Sequence, residues 1–170
     1  MDLKPWIRNV SDFPKKGILF RDISPLLKNP SAMRFVIDGM CQIIENSGAD
    51  SIGAIEARGF IFAAPVSATL GIPFIPIRKP GKLAPPIESV KYDLEYGSGK
   101  LEVNKNCFDR GQKVAIVDDL LATGGTAEGA MNLITRKGAE VVLGAFVIEL
   151  VDLQGRDRLS ELNIFSMIKF

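Results

Sequence analysis

Residues 114–126 read Val-Ala-Ile-Val-Asp-Asp-Leu-Leu-Ala-Thr-Gly-Gly-Thr, and this stretch decides the fold. The four apolar residues from Val114 to Val117 predict a buried strand. Asp118 and Asp119 follow at its carboxyl end, and a loop rich in Gly and Thr then leads into a helical pattern. Because ligands of open α/β sheets bind outside the carboxyl ends of the strands, we expect a binding site over this turn.

The two halves of this turn suit two parts of one ligand. The carboxylates can accept hydrogen bonds from vicinal sugar hydroxyls, and the loop can offer amide and hydroxyl donors to a phosphate at a helix N-terminus. A ribose 5-phosphate needs both. No Lys follows Gly124-Gly125 and no Gly-x-Gly-x-x-Gly turn occurs here, so neither common nucleotide motif is present. The alternative is an ordinary strand-to-helix turn whose acidic side chains have no binding role.

Length and composition predict one soluble domain over residues 1–170. The chain is 46% hydrophobic and 24% charged, with a net charge of +1. Without a basic tail, an apolar run of about 18 residues or a signal peptide, we expect no nucleic-acid or membrane partner. Cys41 and Cys107 form no CxxC motif, which favours reduced thiols in a cytoplasmic protein. The absence of histidine excludes Ser-His triads and His-ligated metals.

Strand and helix patterns alternate along the chain, which predicts an α/β fold with a mostly parallel sheet covered by helices on both faces. Helices are expected from Asn29-Pro30 to Gly48 and over 60–70 and 127–137, and strands over 51–55, 74–77, 114–117 and 141–148. Tyr92, Leu94 and Tyr96 alternate with acidic residues and predict a hairpin outside the main sheet. The last twenty residues are weakly patterned and carry no prediction.

Two further loops could bind anions. Glu56-Ala57-Arg58-Gly59-Phe60 forms another strand-to-helix turn, where helix amides and the Arg58 guanidinium can hold an anion. The alternative is that Arg58 caps local structure or pairs with Glu56. Arg78-Lys79-Pro80-Gly81-Lys82 follows a strand and can close over a polyanion as a mobile basic segment. Its alternative is a solvated basic loop.

An N-terminal segment offers a place for a flat heterocycle. Gly17-Ile18-Leu19-Phe20-Arg21-Asp22 follows Phe13-Pro14 and sets apolar side chains beside polar groups. That combination suits stacking with edge recognition of a base. A plain N-terminal strand packing on the core explains the same residues equally well.

The quoted stretches carry a family resemblance. Val114 to Thr126 resembles the phosphoribosyl pyrophosphate signature of type I phosphoribosyltransferases. Four other segments look like those of the adenine-specific members: 17–25 (GILFRDISP), 56–60 (EARGF), 78–83 (RKPGKL) and 92–97 (YDLEYG). The likeness runs from about Phe13 to Asp152. The chain departs from the family where Leu83 is followed by Ala84-Pro85-Pro86 rather than by Pro and then Thr.

The resemblance implies a fold and an activity. The fold is the type I phosphoribosyltransferase fold: a central, mostly parallel sheet flanked by helices, a small hood with the base pocket (about 1–30) and a flexible loop and hairpin (about 79–103). The activity is purine salvage, in which adenine and 5-phosphoribosyl 1-pyrophosphate (PRPP) give AMP and pyrophosphate. It implies Mg²⁺, held mainly by substrate oxygens and water rather than by protein side chains, and a homodimer.

The resemblance also implies roles for individual residues. The PRPP and AMP site comprises Asp118 and Asp119 at the ribose hydroxyls and, around the 5-phosphate, Leu120, Ala122, Thr123, Gly124, Gly125 and Thr126. The pyrophosphate side comprises Arg58, Arg78, Lys79, Lys82 and Tyr96, in part from a dimer partner. The adenine pocket comprises Leu19, Phe20 and Arg21, partly through main chain. Glu95 and Arg58 are the expected catalytic residues, with Glu95 acting near the base or leaving group.

Elementary chemistry is consistent with these roles. Charge grows on the departing pyrophosphate in an oxocarbenium-like transition state, and cations and loop amides stabilise it. Closure of residues 79–96 would keep water from the reactive sugar. Glu95 serves as a general acid or base if its pKa is raised; otherwise it is a solvent-facing hairpin carboxylate. Two alternatives stay open: a transferase for hypoxanthine, guanine or orotate, and a regulator that binds PRPP without chemistry.

Overall fold

Five parallel strands form the central sheet of the computed structural model, which describes residues 1–93 and 98–170. Their order across the sheet is β4-β3-β7-β8-β9. The strands are β3 (Ser51–Ile55), β4 (Phe74–Ile77), β7 (Lys113–Leu121), β8 (Glu140–Glu149) and β9 (Ile164–Lys169). All five residues of β3 are buried, as expected for a strand covered on both faces. The predicted α/β class and parallel sheet are confirmed.

Helices cover both faces of this sheet. They are α1 (Ser24–Lys28), α2 (Pro30–Ser47), α3 (Gly59–Leu70) and α4 (Gly125–Arg136). Helix α2 begins and ends as the sequence predicts. The Asn29 side chain accepts a hydrogen bond from the amide of Ala32 at 2.9 Å, and Gly48 closes the helix in the left-handed conformation.

The core consists of two apolar layers, one on each face of the sheet. Helices α2 and α3 pack on one face, where Val36, Met40 and Phe62 are fully buried. Helix α4 packs on the other, with Leu133 and Ile134 buried against it. This arrangement holds the sheet rigidly and leaves the carboxyl ends of β3 and β7 open to form a site.

Two antiparallel ribbons lie outside the central sheet. Strands β1 (Arg8–Ser11) and β2 (Leu19–Asp22) form an N-terminal ribbon, and β5 (Ile87–Asp93) pairs with β6 (Ser98–Asn104). The β5–β6 hairpin packs on α4 through Tyr92, whose ring lies so close to Gly99 and Gly129 that a Cβ atom at either glycine would overlap it. The predicted strand pairing is therefore present and contacts the main domain, while Leu94 and Tyr96 lie outside the described residues.

The structure extends two sequence predictions and adds one strand. Strand β7 continues through Asp118 and Asp119 to Leu121, because these residues pair with β8, and so the carboxylates lie within the strand rather than after it. Helix α4 begins two residues before the predicted Ala127. Strand β9, in the segment that carried no prediction, completes the sheet beside β8. Within the described residues, no helix combines the length and apolarity required to cross a membrane.

Candidate active site

Two adjoining cavities open at the carboxyl ends of β3 and β7. The larger measures about 530 Å³ and lies between the β3–α3 turn, β7 and the β5–β6 hairpin. The smaller measures about 210 Å³ and lies over the end of β7 and the start of α4. They share four lining residues: Arg58, Asp118, Asp119 and Thr126. Both cavities lie at the sheet edge over which the sequence predicted a binding site.

Residues 122–126, here called the phosphate loop, line the smaller cavity together with Leu120 and Phe146. Gly124 adopts a φ of 82°, a left-handed conformation that favours glycine, and α4 begins at the next residue. The first amides of α4 have no carbonyl partners within the helix. Together with the partial positive charge of the helix N-terminus, they form a site suited to an anion.

Asp118 and Asp119 form a buried pair between the two cavities. The Asp119 amide donates to Asp118 Oδ1 at 2.8 Å. Burial raises the pKa of both carboxyls, and repulsion from Asp119 raises the pKa of Asp118 further. The pair therefore resists carrying two full negative charges and favours a ligand that donates hydrogen bonds, such as a sugar hydroxyl.

Arg58 joins the acidic pair to the N-terminal ribbon. Its Nη2 lies 2.8 Å from Asp119 Oδ2, although the N–H is not aligned on that oxygen as a hydrogen bond. Its Nη1 donates to the carbonyl of Arg21 at 3.4 Å, and its guanidinium lies 5.1 Å from the ring of Phe20. This ion pair lowers the pKa of Asp119 against the effect of burial. The alternative that Arg58 pairs with Glu56 is not what the structure shows.

The close approach of α3 to β7 brings Arg58 to this position. A Cβ atom at Gly59 would lie 2.7 Å from the carbonyl oxygen of Val117 and 3.0 Å from Asp118 Oδ1. Only glycine fits there without displacing the backbone. The sequence Arg58-Gly59 therefore sets the guanidinium directly beside the acidic pair.

Glu56 holds the basic segment in place. Its buried carboxylate accepts from Arg78 Nε at 2.7 Å and pairs with Lys82 Nζ at 2.8 Å. These two cations lower its pKa even though burial raises it. The amide of Gly81 also donates to Glu102 at 3.1 Å. Glu56 and Glu102 thus contact Arg78, Gly81 and Lys82, and the mobility of this segment stays a prediction.

The N-terminal ribbon reaches the site through Phe20 and Arg21. The Arg21 carbonyl faces Arg58, but its guanidinium stacks 4.0 Å from the ring of Phe170 and also donates to Asn9. Leu19 is 45% exposed and packs in no core cluster of the described residues. The alternative of a plain strand packing on the core therefore does not hold for this ribbon.

Comparison with known proteins identifies the family. Residues 22–169 match the family model described as phosphoribosyl transferase domain. The chain is 49% identical over 170 residues to the adenine phosphoribosyltransferase of Thermosynechococcus vestitus, with all of both chains covered. This chain belongs to the adenine phosphoribosyltransferase family.

Solved structures agree with this assignment. The adenine phosphoribosyltransferase of Thermoanaerobacter pseudethanolicus superimposes with a TM-score of 0.95 at 46% identity, covering 99% of this chain and 98% of that one. The Saccharomyces cerevisiae enzyme, solved with an imino-altritol bisphosphate and adenine, gives a TM-score of 0.91 at 36% identity and covers 98% and 96%. The predicted resemblance and the type I phosphoribosyltransferase fold are confirmed.

Most of the residues that the family resemblance implied come together in the structure. Lys79 lines the larger cavity, and Arg58, the acidic pair and the phosphate loop line one or both. Arg78 and Lys82 approach through their shared partner Glu56. Glu95 and Tyr96 lie outside the described residues.

The sequence reasoning assigned no site role to several residues that line the cavities of this family member. Tyr92, Lys100 and Leu101 of the hairpin line the larger cavity, and Phe146 of β8 lines the smaller one. Tyr92 carried a signal, since aromatic residues alternating with acids predicted a hairpin. No sequence feature pointed to Phe146, because an apolar residue within a buried strand resembles any other core position.

Proposed function

We propose that this chain transfers the 5-phosphoribosyl group of PRPP to adenine, giving AMP and pyrophosphate, as a purine salvage enzyme. The observation that carries this proposal is the pair of cavities joined at Asp118 and Asp119, with an anion-binding helix N-terminus on one side and Arg58 on the other. PRPP has a phosphate at one end of its ribose and a pyrophosphate at the other, so it matches this order of anion site, acidic pair and arginine. The relatives are named adenine phosphoribosyltransferases, and this name indicates adenine as the acceptor.

The smaller cavity suits the 5-phosphate. The phosphate loop brings the free amides at the start of α4 and the hydroxyls of Thr123 and Thr126 to one space. Amide donors of this kind hold a phosphate dianion without a lysine. With the 5-phosphate bound in this cavity, Asp118 and Asp119 lie beside the ribose. Their carboxylate oxygens then accept hydrogen bonds from its two hydroxyl groups.

The larger cavity suits the pyrophosphate. Arg58 and Lys79 line it, and Lys100 lies on the hairpin side. In the reaction a purine nitrogen forms a bond to C1 of the ribose, and the bond from C1 to the pyrophosphate oxygen breaks with its electron pair. Charge therefore grows on pyrophosphate, and fixed cations that face it stabilise the transition state more than the ground state.

The N-terminal ribbon is the proposed base pocket. Phe20 lies against Arg58 and offers an aromatic surface at the rim of the site, and Leu19 is exposed beside it. The main chain of Arg21 presents its carbonyl in the same direction, which suits recognition of an amino group. The Arg21 side chain takes no part, because it stacks on Phe170.

Glu95 and Tyr96 complete the proposal from the sequence resemblance. Glu95 acts as an acid or base near the purine nitrogen or the leaving group, and Tyr96 contributes to the PRPP side. In the sequence they lie between β5 and β6, the two described strands that Tyr92 holds against α4.

Mg²⁺ is the proposed cofactor, carried by the substrate. Within residues 1–93 and 98–170, no three metal-ligating side chains cluster, and the carboxylates of Asp118 and Asp119 at the site are assigned to the ribose hydroxyls. Mg²⁺ typically keeps several waters and binds substrate phosphates, so substrate oxygens and water can supply most of its ligands. The ion would neutralise pyrophosphate oxygens as they gain charge.

A cytoplasmic homodimer is the proposed state of the enzyme. Both cysteines are free thiols, as in a reducing compartment. Phe13 of the N-terminal segment and Ile61 of α3 are exposed apolar side chains that a second subunit can cover. Sedimentation at several protein concentrations tests the dimer.

Release of pyrophosphate tests the transfer itself. The purified chain is mixed with PRPP and Mg²⁺, with and without adenine, and pyrophosphate and AMP are both measured. Equal amounts of AMP and pyrophosphate that appear only with adenine support the proposal. Tight PRPP binding without pyrophosphate release would instead indicate a PRPP-sensing regulator.

A further inference from the structure

A second backbone segment lies directly behind the phosphate loop. Gly155 follows the short 3-10 turn Val151–Leu153, and a Cβ atom there would overlap the carbonyl oxygen of Ala122 and lie 3.0 Å from the amide nitrogen of Gly124. A Cβ atom at Gly124 would in turn overlap the carbonyl of Gly155. The two backbones are therefore in contact along a line where only glycine fits on either side.

An ion-pair cluster fixes the position of Gly155. The next residue, Arg156, donates to Glu149 through Nε at 2.5 Å and Nη2 at 2.8 Å, and through Nη1 to the carbonyl of Ile164 at 3.0 Å. The Ser166 hydroxyl also donates to Glu149. Arg156 thus joins the end of β8 to β9, and Gly155 is held at that joint.

This cluster is built as a support and not as a ligand site. The Glu149 side chain is 6% exposed, and each nitrogen of the guanidinium already has a partner within the cluster. Neither Glu149 nor Arg156 lines either of the two site cavities. A paired arginine in this arrangement adds no net charge to the phosphate site.

A phosphate loop gains from such a support. Its amides bind phosphate strongly only when they point at one centre, and a loop that must order on binding loses part of its affinity to that ordering. In this chain, β7 leads into one end of the loop and α4 begins within its other end. The contact with Gly155 adds a third fixed point at the middle of the loop.

We propose that Arg156 is a positioning residue that, through Glu149, Ser166 and the contact of Gly155 with Ala122 and Gly124, holds the phosphate loop in its phosphate-binding conformation. This inference rests on the proposed function, since it requires that the loop binds the 5-phosphate. It assigns the segment after β8, to which the sequence pattern gave no role, a part in substrate affinity.

The test compares the affinity for AMP with that for adenosine, which differs from AMP only by the 5-phosphate. Calorimetric titration gives both dissociation constants for the wild type, for Gly155→Ala and for a control, Gly48→Ala. Gly48 also has a positive φ of 71°, but it caps α2 far from the loop. We expect the wild type to prefer AMP by about 100-fold or more.

The expected result is that Gly155→Ala reduces this preference by about tenfold or more, because a misplaced loop loses its aligned amides. The affinity for adenosine changes less than twofold, and Gly48→Ala keeps the wild-type preference. A purely structural role would lower the melting temperature and weaken both ligands together.

If Gly155→Ala does not fold, a second variant tests the positioning role. Arg156→Lys keeps the positive charge beside Glu149 but loses the bidentate contact with Glu149 and the hydrogen bond to the carbonyl of Ile164. Its preference for AMP over adenosine should fall by roughly threefold or more. Folded variants that keep the full preference would overturn the positioning role alone. A wild type without any preference for AMP would overturn the phosphate assignment and the positioning role together.

Discussion

Arg58 Nη2 lies 2.8 Å from Asp119 Oδ2, so the cation proposed for pyrophosphate and the carboxylate proposed for ribose touch each other directly. The two residues come from different strand ends, β3 and β7, that are neighbours in the sheet. Each compensates for the other's charge in a largely buried place. If the proposed roles hold, the sugar and the leaving group bind on either side of this one ion pair.

Replacing Arg58 tests its role in leaving-group departure. Arg58→Ala should lower kcat by roughly ten- to a thousand-fold, because a fixed cation at the developing charge is lost. Arg58→Lys should recover part of the rate, since it restores the charge without the planar donors. Arg34→Ala, which removes an exposed arginine of α2, is the matched control. A wild-type rate for Arg58→Ala would assign Arg58 to structure only.

Asp119→Asn tests the ribose contact. We expect the Kd for PRPP to rise by about ten- to a hundred-fold, because hydrogen bonds to a charged acceptor are lost. The variant should still fold, since the amide fills the same space, with a melting temperature lowered by loss of the Arg58 ion pair. Asp38→Asn, at an exposed site on α2, serves as control. Unchanged PRPP affinity in Asp119→Asn would remove the sugar role.

Glu56→Gln tests whether this carboxylate fixes the basic segment. Loss of its charge weakens both the Arg78 and the Lys82 contacts, so residues 78–82 should open more often. Trypsin cleavage after Lys82 should accelerate by about tenfold, since proteolysis follows the open population. Glu88→Gln, whose partner Lys137 lies elsewhere, should cleave at the wild-type rate. Equal cleavage of the wild type and Glu56→Gln would contradict the anchoring role.

The Glu149–Arg156 pair predicts an acid-sensitive contribution to stability. Hydrogen bonds from Arg156 and Ser166 lower the pKa of Glu149 to about 2. Since the folded-state pKa lies below the ordinary value of 4.5, the stabilisation is present at neutral pH and is lost as the pH falls from about 4.5 toward 2. A shift of this size corresponds to roughly 3 kcal/mol.

Urea unfolding at pH 7, 5 and 3 measures this contribution. The wild type should lose stability over the lower part of that range, whereas Glu149→Gln should start lower at pH 7 and change less. Parallel curves for the two proteins would show that Glu149 does not titrate with a lowered pKa.

Sequence reasoning predicted the elements that carry local signals. Helix α2 was predicted from Asn29-Pro30 to Gly48 because capping residues mark both of its ends. The turn between β7 and α4 was predicted because a loop rich in Gly and Thr follows an apolar run there. Such signals reside in a few adjacent residues and need no tertiary information.

The remaining features depend on contacts between distant segments. Strand β9 lacks clear alternation because it is half-buried along its length, so its pairing with β8 could not be inferred. The Arg58–Asp119 pair joins residues that meet only through the parallel register of β3 and β7. No sequence feature pointed to Gly155, because glycine is needed there only to make room for the backbone of Ala122, which is distant in sequence.

Base selectivity is the sharpest test of phosphoribosyl transfer to adenine. The chain is incubated with PRPP and Mg²⁺, and adenine, hypoxanthine, guanine and orotate are offered in separate reactions. AMP from adenine, with no nucleotide from the other three bases, is the result that this account predicts. Turnover of guanine or hypoxanthine at the rate of adenine would contradict the assignment of the base pocket, and no product from any base would contradict the transfer itself.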